Sequence, residues 1–335
     1  MSYYLSLVFL FSCTIIGSLI LTKLSIKYLP LIGVVDKPSN RKVHLQPTPG
    51  GAGIGLIILF LIGMPLFEYH VYGNLNYAKI MVPILSTISL ISFIDDIRDL
   101  SVPLRLFFHI LSALLINFII IYPDYRLFHG LVPAEFDLIL TSLGLVAFLN
   151  IYNFLDGIDG ITAAESIHLA ATILVLCYLK YDIIIHANLL IMMSVIILGF
   201  CIGFIPFNWH PAKVFIGDVG SISLGFIFGI CLICLSSSSW HLFVSSTIAA
   251  LYYLFDGVFT IIIRLINNEQ IWQPHVKHFF QQAVKKGMSH KQVTIKISLC
   301  NLALFILSIS ALYYPITSLI LSILAVCYLL MHFSK

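Results

Sequence analysis

Residues 148–161 read FLNIYNFLDGIDGI, and the architecture of the chain turns on why two asparagines and two aspartates stand there. Their flanks, 137–152 and 162–180, are almost continuously apolar. Working outward, comparable runs cover 3–23, 52–68, 78–94, 104–122, 188–206, 221–236, 241–263, 297–314 and 316–333. A bilayer-crossing helix needs about 20 mostly apolar residues, so these eleven runs predict 10–11 transmembrane helices. Barrel strands would alternate in polarity instead. The composition agrees: 60% of residues are hydrophobic and 10% charged, with a mean hydropathy of +1.03. Soluble domains carry about 25% charged residues, so a soluble globular protein is excluded. The expected fold is an all-α polytopic membrane protein forming a single transmembrane domain over residues 1–335. No basic residue precedes Lys23 and no small-residue cleavage site follows the first run, which predicts a retained first helix rather than a signal peptide.

Lys and Arg accumulate in cytoplasmic loops. With the N-terminus outside, fifteen of the 18 basic residues fall on the cytoplasmic side, leaving only Lys79, Arg126 and Lys180 opposite. The net charge of +3 is then a topology signal, and no basic run points to nucleic acid. All seven cysteines lie in apolar runs. Cys231 and Cys234 form a C-x-x-C without the second pair that a zinc site requires, and read as small buried hydrophobes.

That orientation puts nearly all the polar chemistry in five cytoplasmic loops, which are expected to form the active site. Carboxylates at a membrane edge are costly and mark function by default. Asp156 and Asp159 could instead cap the next helix, but Asn150 and Asn153 occupy preceding turns of the same helical face. The four can address one cavity. Asp95 and Asp96, in FIDDIRD, end a helix whose dipole disfavours them. A bound cation, protonation of one acid, or pairing with Arg98 or Arg105 would each relieve that strain. Asp218 in VFIGDVGS lies beside glycine, which lets a ligand approach the backbone. Carboxylate and amide oxygens without a dense His or Cys cluster suit Mg²⁺ bridging phosphates. His275 and His278, three apart in PHVKH, read as phosphate or sugar contacts, or as solvated loop histidines. In GGAGIG the dinucleotide spacing is incomplete; Gly51 and Gly55 are expected to allow close helix packing. Asp256 and Arg264 are eight residues apart, about 12 Å along one helix, so each needs another partner.

In series, RKVHLQPTPGG, FIDDIRD, NIYNFLDGIDGI, FNWHPAKVFIGDVGS and PHVKH resemble the polyprenyl-phosphate N-acetylhexosamine-1-phosphate transferases (glycosyltransferase family 4) over nearly the whole chain. The resemblance implies transfer of a sugar-1-phosphate from a UDP-N-acetylhexosamine to undecaprenyl phosphate at the cytoplasmic face of the inner membrane, releasing UMP and requiring Mg²⁺, with Mn²⁺ as a substitute. It further implies Asp218 as a magnesium ligand helped by Asn153, and Asp95 and Asp96 at the lipid phosphate as catalytic residues. Asp156 and Asp159 would line the nucleotide site, with Asn150 and Asn208 among the substrate contacts. His275 and His278 would hold the diphosphate or sugar, and Lys42 and His44 would add positive charge. The last loop lacks the consecutive histidines of the MurNAc-pentapeptide phosphotransferases. The chain is more similar to enzymes initiating O-antigen or other surface polysaccharides, on GlcNAc or a 6-deoxy relative. The MurNAc-pentapeptide reaction is the alternative, and a homodimer is compatible with the family. A transporter would place its ionisable groups near the bilayer midplane on paired broken helices, whereas here they gather at one face. The DGxxAR signature of CDP-alcohol phosphatidyltransferases is absent.

Overall fold

The computed structural model describes residues 2–36, 47–98, 100–122, 125–270 and 275–335. Among them the chain is all-α apart from one two-residue antiparallel pair, β1 (Val35–Asp36) with β2 (Thr48–Pro49). The helices are α1 (Tyr3–Tyr28), α2 (Ile54–Tyr72), α3 (Ala78–Arg98), α4 (Val102–Ile116), α5 (Ala134–Phe154), α6 (Ile161–Leu179), α7 (Ala187–Asn208), α8 (Asp218–Ser238), α9 (Trp240–Ala249), α10 (Leu251–Ile266), α11 (Phe279–Lys285), α12 (His290–Ser310) and α13 (Pro315–Ser334). Among the described residues ten helical spans are long and apolar enough to cross a membrane, α4 counting with the π-helical turn Asn117–Ile121 that continues it. The chain is a multi-pass membrane protein.

The ninth expected span is not one helix. α9 and α10 meet at a bend of 70°, without a proline or glycine at Ala250. α10 is amphipathic: Asp256, Gly257, Thr260 and Arg264 are buried on one face while Ile262, Ile263, Leu265 and Ile266 stay exposed. A straight continuation would carry an acid and a base across lipid, which is costly. The bend turns both toward protein partners.

The bundle is organised around α8, whose residues are almost all buried. Without a hydrophobic force between helices in lipid, close van der Waals contact between small residues drives association. A Cβ on Gly225 would meet Leu149 Cα of α5 at 2.7 Å, and Ser223 Oγ lies 2.9 Å from Ser89 Oγ of α3. The anticipated packing role of Gly55 is realised against Leu21 of α1, but Gly51 precedes α2 in a positive-φ turn. Cys177, Cys201, Cys231 and Cys234 are buried thiols without disulfides.

Contacts between connections sort the two ends of the bundle. At one end Tyr3 bonds Asn188, and His129 and His186 reach the carbonyls of Ser236 and Ile120. At the other end the segments following α1, α3, α5, α7 and α10 meet. There the Ala52 and Gly53 amides donate to the Phe215 and Ile216 carbonyls at 3.0 and 2.8 Å, and the Phe215 amide donates to Pro49. This short backbone ladder fixes the first connection against the fourth.

Candidate active site

The site grows from the start of α8. The first amides of a helix have no partner within it. Two of them, on Asp218 and Val219, donate to Oδ1 and Oδ2 of Asp96 at 2.9 and 3.1 Å. The negative end of α3 thus meets the positive end of α8 through one carboxylate. Gly217 permits the approach: at φ +72°, a Cβ there would lie 2.5 Å from the Gly51 nitrogen and 2.9 Å from Asp96 Oδ2. Asp95 is held differently. Its Oδ2 pairs with Arg105 Nη1 at 2.5 Å, and its Oδ1 accepts the Leu100 amide at 2.6 Å. Of the expected ways to relieve the acid pair, pairing with Arg105 serves Asp95, whereas Asp96 is held in a way the sequence did not suggest, by the amides at the start of α8; Arg98 is exposed. The same Arg105 nitrogen stands 3.8 Å from Asp218 Oδ2.

Asn153, at the end of α5, accepts the Ser221 hydroxyl on its Oδ1 at 2.6 Å, one turn along α8 from Asp218. Asn150 turns back to its own helix and donates to the Val146 carbonyl at 2.7 Å. Asp218, Asp96, Asp95 and Asn153 therefore surround one helix end. Of the three carboxylates there, Asp95 and Asp218 have the Arg105 guanidinium at 2.5 and 3.8 Å while Asp96 is met by backbone amides, and the Asp218 side chain is 35% exposed. That excess of negative charge on hard oxygen donors fits Mg²⁺, with Asp218 and Asn153 as the residues able to hold it; the Asn153 oxygen retains a second lone pair.

The turn after α5 brings in the next two acids. Asp156 Oδ1 accepts the Thr162 hydroxyl at 2.5 Å. Burial pushes its carboxyl up to about 7; the negative charges of Asp96 and Asp36 add to this and the Thr162 bond opposes it. Asp159 is buried. Its Oδ2 meets His210 Nδ1 at 2.6 Å and the Ala212 amide at 3.2 Å, and its Oδ1 lies 3.2 Å from His290 Nδ1. Burial raises its pKa, yet the bonds from His290, His210 and Ala212 together hold it below the usual range. Asp159, His210 and His290 form a cluster able to coordinate a divalent cation, their ligand atoms all within 4.8 Å of one another. Asn208 spends both ends of its amide on the protein, accepting from the Gly160 amide at 3.1 Å and donating to the Val214 carbonyl at 3.0 Å.

The fifth connection closes over this turn. A Cβ on Gly157 would meet Phe280 Cζ at 2.9 Å and Gln281 Nε2 at 3.1 Å, so α11 rests directly on the glycine between the two aspartates. α11 is anchored by Asp256, which accepts the Phe279 and Phe280 amides at 3.0 and 3.3 Å and sits 3.0 Å from His278 Nδ1. His278 is 1% exposed, its Nε2 has no hydrogen-bond partner, and its ring stacks on His275. Burial, helped by the nearby charges of His278 and Arg264, pushes His275 down to about 4. Arg264 bonds Glu269 and the Gln270 carbonyl at 3.1 and 2.6 Å. The partners that Asp256 and Arg264 required are thus His278 and Glu269. Lys42 and His44 lie outside the described residues.

Sequence reasoning missed His210, His290, Thr162, Ser221 and the Asp256–His278 pair. One of these had a visible signal: in SHKQ, Ser289 and Gln292 form a capping box that sets His290 at the start of α12.

Residues 78–236 match the model of glycosyl transferase family 4. Three relatives show how far the similarity extends. A probable undecaprenyl-phosphate N-acetylglucosaminyl 1-phosphate transferase of Bacillus subtilis (strain 168) is 29% identical over 320 residues, covering 93% of this chain and 86% of the relative. A decaprenyl-phosphate N-acetylglucosaminephosphotransferase of Mycolicibacterium smegmatis is 30% identical over 218 residues, 59% of this chain and 52% of the relative. A phospho-N-acetylmuramoyl-pentapeptide-transferase of Prochlorococcus marinus is 27% identical over 322 residues, 87% and 86% of the two chains. The matched segment runs from α3 through α8 and carries Asp95, Asp96, Asn153, Asp156, Asp159 and Asp218; over this segment, a little under half of its length, the chain is similar to glycosyl transferase family 4.

Proposed function

We propose that this protein transfers an N-acetylhexosamine-1-phosphate from a UDP-sugar to undecaprenyl phosphate, releasing UMP, as the first membrane step of a surface polysaccharide. The observation that carries the reading is the gathering of Asp95, Asp96 and Asn153 around Asp218 at the head of α8. Both reactants bring phosphate charge to one point, so the reaction needs cations and donors already in place. When bound, Mg²⁺ would neutralise the diphosphate and favour departure of UMP. Asp218 and Asn153 would hold the ion. Arg105 is aligned by Asp95 and offers its guanidinium beside Asp218 to a phosphate oxygen. All four oxygens of Asp95 and Asp96 accept hydrogen bonds from the protein, which suits them to positioning rather than proton abstraction. The lipid phosphate needs little help, since a phosphomonoester loses its second proton near pH 6. Asp156 and Asp159 border the nucleotide, and His275 and His278 the diphosphate or sugar, under α11.

The N-terminus is outside, and the site end of this single domain faces the cytoplasm. Lys23, Lys27, Lys213, Lys285, Lys286 and Lys291 on that end support the orientation. The relatives that act on N-acetylglucosamine favour GlcNAc as the sugar. The test uses purified protein, undecaprenyl phosphate and a panel of UDP-sugars, including UDP-MurNAc-pentapeptide. Mg²⁺-dependent UMP release with UDP-GlcNAc, lost in Asp218→Asn, is expected. Release with the muramoyl donor alone would move the protein to the peptidoglycan reaction. No release with any donor would overturn the reading.

A further inference from the structure

We infer that Asp159, His210 and His290 form a second cation site, built for a transition ion of the Zn²⁺ class and separate from the oxygen-lined site at Asp218. The donor set differs in kind. Two imidazole nitrogens and one carboxylate are the ligands of three-coordinate protein sites that leave a fourth position to water. Mg²⁺ takes oxygen donors in near-octahedral order and rarely accepts imidazole.

Geometry supports this assignment. Around a tetrahedral ion with bonds of about 2.0–2.1 Å, ligand atoms stand roughly 3.3 Å apart. His210 Nδ1 and His290 Nδ1 lie 2.6 and 3.2 Å from the two Asp159 oxygens, and all three ligand atoms fall within 4.8 Å of one another. Small side-chain rotations accommodate an ion. His290 Nδ1 also lies 3.4 Å from the Asp159 amide and 3.2 Å from Asp159 Oδ1, so this ring nitrogen faces the carboxylate directly. The His210 side chain is 37% exposed, which gives the ion a route in and a water for its open position. The ligands come from three places: the turn before α6, the connection after α7, and the first residue of α12. An ion here ties together segments 51 and 131 residues apart.

The measurement is metal binding to the resting detergent-solubilised protein without donor or acceptor, so its outcome does not depend on the transferase reading. Calorimetric titration with Zn²⁺ is expected to show one tight site that survives excess Mg²⁺, with a rise in melting temperature. Co²⁺ in its place is expected to give the visible absorption of a tetrahedral nitrogen–oxygen site. Loss of an outer-shell partner alone weakens metal sites by about 10–100-fold, so His210→Gln and His290→Gln should each weaken Zn²⁺ binding by at least about 100-fold. His241→Gln, on an exposed residue at the opposite end, should leave it unchanged. Zn²⁺ binding no tighter than Mg²⁺, or equal in wild type and both ligand variants, would overturn the inference. So would the absence of the Co²⁺ absorption in the wild-type protein, a result independent of how the variants fold.

Discussion

Arg105 joins two acids that would otherwise repel: it pairs with Asp95 and stands near Asp218. Arg105→Ala leaves a buried carboxylate with the Leu100 amide alone. Breaking such a pair costs about 3–5 kcal/mol when fully buried, less here because the Arg105 side chain is one-third exposed. UMP release should fall by about 10²–10³-fold, the usual loss for a preorganised donor, with partial recovery in Arg105→Lys. Asp95→Asn separates positioning from proton transfer. Turnover should fall while the pH profile keeps its midpoint; loss of the profile's basic limb would show instead that Asp95 acts as a base. His275 gives a pH test of stability. Its folded pKa of about 4 lies below the ordinary 6.5, so between those values the unfolded chain binds more protons. Stability is therefore intact above pH 6.5 and declines as pH falls toward 4. The two values differ by at most about 3 kcal/mol, reduced by solvent screening. A melting-temperature series in wild type and His275→Gln should show the acid-side slope flattened in the variant.

At the scale of helices, the apolar runs were legible because a span long enough for the bilayer cannot be mistaken for much else. The ninth run was not. Its hydropathy says that residues 241–263 can cross a membrane, but only the placement of Asp256 and Arg264 on one face, with partners 5 to 22 residues away, explains the bend. The acids of the site were equally legible, since a carboxylate at a membrane edge is conspicuous. Their partners were not: nothing local in FNWHPAK or SHKQV points to Asp159. Helix packing yields its own prediction. Gly225→Ala would force a Cβ to 2.7 Å from the Leu149 backbone, where no side chain can yield. Overpacking typically costs about 1–3 kcal/mol, and thermal denaturation should show that loss. Phe280→Ala removes the ring seated on Gly157, with a cost of about 3–5 kcal/mol for a core phenylalanine. Proteolysis of the fifth connection should accelerate in that variant.

For the molecule as a whole, orientation is the testable property. Cysteines placed at Tyr313 and Lys285 lie on exposed residues at opposite ends of the bundle. With the N-terminus outside, an impermeant maleimide applied to intact cells should label Tyr313→Cys above the background of the native thiols and label Lys285→Cys only after lysis. The reverse pattern would invert the topology.

The family match ends at residue 236, yet Asp159 leans on His290 and Gly157 lies beneath Phe280. Translation delivers these supports last. A nascent chain halted after α8 would hold every acid of the centre while lacking the cover for its central turn. The final third of the polypeptide is therefore no dispensable appendage, and premature termination there should yield an inserted but inert product.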